Sequence, residues 1–145
     1  MKANSKTITK RSGFSDQEKA AARERVRELK AEAAKADGEA ELLAAIAKMQ
    51  EPDRTMATKV HGLIKAAAPG LAPKTWYGMP AYAKDGNVIC FFKNAGKFSA
   101  RYHNLGFSDK ANLDDGGMWP TEYALLKLTA TEAAMITSLV KRAVR

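Results

Sequence analysis

The chain has 145 residues, a formal net charge of +8 and 46% hydrophobic residues. That length fits one domain of ordinary size with a real core, and the composition is far from that of a disordered segment. No apolar run approaches the ~20 residues that cross a bilayer, and the single cysteine, Cys90, excludes an internal disulfide.

Residues 1–13 carry Lys2, Lys6, Lys10 and Arg11, no acid and no periodicity, and are expected to form a disordered basic arm. They also lack the apolar stretch of a secretory signal, which together with the cysteine count points to the cytoplasm. Ser15 to Glu18 has the form of a capping box, with Phe14 as a hydrophobic staple. A helix is expected to follow to Ala36, with Ala22, Val26, Leu29 and Ala33 on one thin apolar stripe. That stripe spans barely two heptads and offers a short seam for self-association. Asp37-Gly38 is expected to stop this helix, leaving a soft boundary there.

Glu39 to Gln50 is read as a second helix with Leu42, Leu43, Ile46 and Met49 inward. Asp53 is the expected N-cap of a third helix whose inner residues are Met56, Val60, Leu63, Ile64 and Ala67. Pro69-Gly70 ends it, and Pro73 is expected to keep the chain irregular. The texture then changes to aromatic and β-branched residues. Ala81–Lys84, Asp85-Gly86 and Asn87–Lys93 read as a β-hairpin with a two-residue turn. Lys97–His103 is read as a strand that sends Phe98, Ala100 and Tyr102 one way, and Ser99, Arg101 and His103 the other. Residues 104–120 are expected to be a long loop, and Tyr123–Leu128 a short strand. Thr129 to Glu132 is a second capping box, opening a last helix to about Val144. Helices, then a run of strands, then a helix argue for an α+β fold with an antiparallel sheet.

The net charge is unevenly spread. Residues 14–68 hold ten basic and ten acidic groups, whereas residues 69–145 hold ten basic against six acidic. Cys90 lies in the apolar run Val88–Phe92 and reads as a small core residue. His61 and His103 show no metal-ligand spacing, and neither phosphate-loop nor nucleophile-elbow motifs occur. No enzyme activity and no cofactor are therefore expected.

Two features point to binding. Lys93, Lys97, Arg101 and His103 are interleaved with Phe91, Phe98 and Tyr102, a pattern that suits a phosphate, a carboxylate or a single-stranded nucleic acid. Trp76, Tyr77, Met79 and Tyr82 surround a Gly and a Pro that fix the backbone. Polar-tipped aromatics at such a place can line a pocket or plug one end of the core.

The segment Trp76-Tyr77-Gly78-Met79-Pro80-Ala81-Tyr82, followed by Cys90-Phe91-Phe92 and Lys97-Phe98, resembles the YdhG-like family, a domain of unknown function. The likeness covers about residues 53–144. Further on, Arg101-Tyr102, Leu105–Ser108, Asn112–Gly116 and Met118–Pro120 are similar to a subgroup with an extra N-terminal helical segment. The resemblance implies an antiparallel sheet packed by helices, YdhG-like or frataxin-like, over residues 53–145, preceded by a helical segment over 14–52. It also implies one alternative function, a frataxin-like iron chaperone, whose oxygen ligands would come from Asp109, Asp114, Asp115 and Glu122. The residues themselves favour a non-enzymatic binding module for a small anionic ligand or a protein segment at the sheet face. A nucleic-acid binder is the second alternative. No membrane partner is expected, and the oligomeric state is left open.

Overall fold

The computed structural model describes residues 15–145. The basic arm and Phe14 lie outside them. The capping box forms: Glu18 N donates to Ser15 Oγ at 3.1 Å, and Ser15 N donates back to Glu18 Oε1 at 3.4 Å. Helix α1 then runs without a break from Asp16 to Ala47. Asp37-Gly38 does not stop it. Gly38 is there for a different reason, because a Cβ at this position would collide with the carbonyl oxygen of Pro73. A glycine inside a helix costs about 1 kcal/mol relative to alanine, and here it lets the helix lie directly on a strand.

The chain divides into two compact units, Met1–Ala34 and Lys35–Arg145. In the first, every residue from Ser15 to Ala34 is exposed, including Val26 and Leu29 of the apolar stripe. Its ion pairs, Arg25 with Glu28 and Arg27 with Glu24, lie at i,i+3 on an open surface, where such pairs contribute little.

The second unit contains the end of α1, helix α2 (Asp53–Ala67), a five-stranded sheet and helix α3 (Ala130–Ala143). The strands are β1 (Ala72–Trp76), β2 (Met79–Lys84), β3 (Asn87–Lys93), β4 (His103–Phe107) and β5 (Glu122–Leu125). They pair antiparallel in sequence order, a simple meander. The α+β class is therefore as expected. Strand β1 was not anticipated. Pro73 sits inside it, tolerated because β1 is an edge strand that owes a hydrogen bond on one side only. The Asp85-Gly86 turn has φ of 51° and 82°, the double positive φ of a two-residue hairpin.

One sheet face carries the core. Tyr82, Cys90, Phe92, Leu105, Phe107 and Leu125 meet Leu42 and Ile46 of α1, Val60 and Ile64 of α2, and Ile136, Leu139, Val140 and Ala143 of α3. Leu43 was expected inward but is 47% exposed, since Leu42 and Ile46 already define the buried stripe of that helix end. Thr129 caps α3 with both bonds of its box in place.

Candidate functional site

The segment Trp76–Tyr82 serves two surfaces. Trp76 ends β1, Tyr77-Gly78 is the turn, and Met79 opens β2 opposite Trp76. Both turn residues have positive φ, 51° for Tyr77 and 75° for Gly78. A bulky side chain is rare in that region, yet Tyr77 holds it and is 80% exposed. Its ring meets Trp76 edge-on at 4.9 Å, and Trp76 packs on Phe91 at 5.2 Å. Phe91 in turn lies over Gly106, its neighbour across the strand pair, where any Cβ would strike the ring. This stack occupies the outer face of the sheet, away from the core.

Tyr82 points the other way and is 2% exposed. Its hydroxyl lies 2.8 Å from His61 Nδ1, and His61 Nε2 lies 3.1 Å from Glu39 Oε2, which Lys65 Nζ also reaches at 2.7 Å. One proton arrangement satisfies the chain: Tyr82 donates to Nδ1, and Nε2–H donates to Glu39. Burial lowers the pKa of His61, opposed by Glu39. The hydrogen bond from Lys65 lowers that of Glu39. Burial raises Tyr82 well above the ordinary tyrosine range and pushes the Cys90 thiol up to about 12. Neither side chain is an acid or a nucleophile near neutral pH. Tyr82 is therefore a core residue held by a polar chain, and Met79 is buried as well. Neither offers its side chain to solvent.

The expected strand over Lys97–His103 does not form. Gly96–Phe98 is a turn of 3-10 helix, Ser99 has φ of 52°, and β4 begins only at His103. The cause is Asp53. It does not cap α2; its Oδ2 accepts from Asn94 Nδ2 at 2.9 Å and from Gly96 N at 2.8 Å, pulling the chain after β3 into a tight loop. Gly96 permits this, as a Cβ there would press on the carboxylate. Arg101 and His103 consequently share no sheet face. His103 is buried: its Nδ1 accepts from Ala95 N at 2.9 Å, and its ring packs on Phe92 at 5.3 Å. Burial lowers its pKa, opposed by Asp53. Arg101 lies over the Tyr102 ring at 5.2 Å.

The lysines do come together. Lys93 Nζ sits 4.6 Å and Lys97 Nζ 5.6 Å from the centre of the Phe98 ring. Lys97 also donates to the Tyr77 carbonyl oxygen at 3.3 Å, joining the loop to the turn. Of the eight residues singled out in the sequence, Trp76, Tyr77, Lys93 and Lys97 thus belong to one exposed end of the sheet, with Phe98 as a fifth member. Met79, Tyr82 and His103 are structural, and Arg101 pairs with the Tyr102 ring.

Beside this end lies a cleft of about 820 Å³, walled by the last turns of α1, by Asp53, and by Thr75, Gly78, Gly96 and Lys97. Sequence reasoning missed it. Asp53 looked like an ordinary cap, and nothing in the pattern pairs position 53 with positions 94 and 96. Among the described residues no three His, Cys, Asp or Glu side chains converge on one point where they could hold a metal ion, and no helix is long and apolar enough to cross a membrane. No known family, curated protein or solved structure matches the chain.

Proposed function

We propose that the chain is a binding module, without catalytic chemistry of its own, that takes a small anionic ligand with a flat apolar part on the outer face of the sheet. The observation that carries this reading is Tyr77: a tyrosine in a left-handed turn position, 80% exposed, where asparagine or glycine would fit without strain. Next to it stand Trp76, Phe98 and the ammonium groups of Lys93 and Lys97. The rings supply stacking area and the lysines supply charge. Titration of Trp76 fluorescence with nucleoside monophosphates and with aromatic carboxylates tests it. Saturable quenching that is lost in Trp76→Phe or in Lys93→Gln/Lys97→Gln supports the reading; quenching unchanged by the lysine substitutions overturns it.

A second reading, single-stranded nucleic acid, draws on the same alternation of exposed rings and lysines. It requires affinity that falls steeply with salt, and a flat salt response excludes it. The iron-chaperone alternative has weaker support, because its donors among the described residues do not converge. We also propose kinship with YdhG-like domains, supported by the Trp76–Tyr82 motif, and a cytoplasmic location, supported by a single cysteine that has no partner for a disulfide within the chain.

A further inference from the structure

We propose that the cleft beside α1 binds a free α-amino acid with a long cationic side chain, at a second site that adjoins the outer-face stack through Lys97. The inference starts from Asp53, which is 8% exposed and lines the cleft. Its Oδ2 is committed to Asn94 and Gly96, while Oδ1 accepts no hydrogen bond among the described residues. Among the described residues no fully buried side-chain nitrogen or oxygen lacks a partner, so Oδ1 keeps accessible area on a residue that lines the cleft. It is a rigid acceptor, fixed through its twin oxygen, and suited to an ammonium group.

Two other charged residues of the cleft make no ion pair among the described residues. These are Glu41 and Lys48, whereas Lys97 donates to the Tyr77 carbonyl and lies beside the Phe98 ring. Lys48, just after α1, and Asp53 both line the cleft, so a positive and a negative group face it. That pairing matches the carboxylate and ammonium of an amino acid. Glu41, in the last turns of α1, comes seven residues before Lys48 and lines the same cleft. Ala44 and Ala45 lie between them and line the floor. An aliphatic chain laid over these alanines would bring a cationic end to Glu41.

The test is a titration of isotope-labelled protein, followed at the amides of Gly78, Asn94 and Gly96. The probes are L-arginine, agmatine (which lacks the carboxylate) and L-norleucine (which lacks the side-chain cation). L-arginine is expected to bind, with each truncated probe about tenfold weaker, the loss of one charge-assisted contact. Lys48→Gln should bring arginine down to the agmatine level and leave agmatine unchanged. Glu41→Gln should bring it down to the norleucine level. Both residues are exposed and make no ion pair among the described residues, so these variants keep the fold, whereas Asp53→Asn also loosens the 94–96 loop. No shift at the three amides, or equal affinity for arginine and agmatine, overturns the proposal. Loss of outer-face quenching in the Trp76 experiment leaves it untouched.

Discussion

Tyr77 and Tyr82 lie five residues apart in one hairpin and do opposite work. Tyr82 is enclosed, its hydroxyl bonded to His61 and its ring packed within the core. Tyr77 is strained, exposed and held at the tip of a turn. The difference comes from strand alternation and from the Gly78 turn, not from the residue type. An aromatic-rich motif is therefore not one feature: half of it builds the inner face, and the other half is left outside.

The comparison can be broken most forcefully on the inner side. Tyr82→Ala removes a large ring and orphans His61 Nδ1, and is expected to cost about 3–5 kcal/mol by denaturant titration. Tyr82→Phe keeps the ring and isolates the polar part, at about 1–3 kcal/mol. On the outer face, Gly106→Ala forces the Phe91 ring aside, which should cost about 1–3 kcal/mol and shift Trp76 fluorescence, since Trp76 rests on Phe91. Substitutions at Tyr82 should leave that fluorescence in place for as long as the protein is folded.

Acidification sharpens the contrast further. His61 and His103 have pKa values lowered by burial, so below about pH 6.5 the unfolded chain binds protons that the fold resists. Stability is then complete above that pH and falls as the pH drops toward the lowered values. Denaturation midpoints at pH 7.5 and pH 5 should differ, and less so in His61→Gln. The smallest effect belongs to Tyr77. Tyr77→Asn relieves the left-handed strain and should raise stability by about 0.5 kcal/mol while removing outer-face binding. A loss of stability would mean that the Tyr77 ring supports the fold.

Local signals were legible in the sequence where they were self-contained. Both capping boxes, the Asp85-Gly86 hairpin and the stripe of α2 need only neighbouring residues to form. Gly38 misled because its partner, Pro73, lies 35 residues further on, and a close approach between distant segments leaves no periodicity. The Lys97–His103 stretch has a strand's alternation, but the carboxylate of Asp53, far away in sequence, captures its start. The site was half legible for the same reason. Exposed aromatics and lysines announce themselves, whereas a cleft made by α1, Asp53 and a loop exists only once those segments meet.

Cys90, the sole thiol, is buried in the central strand with no access to solvent. The folded protein thus carries its own stopwatch. A thiol-reactive dye added under native conditions can label it only when the sheet comes apart, so the labelling rate measures how often the centre of the molecule opens, without any engineered probe.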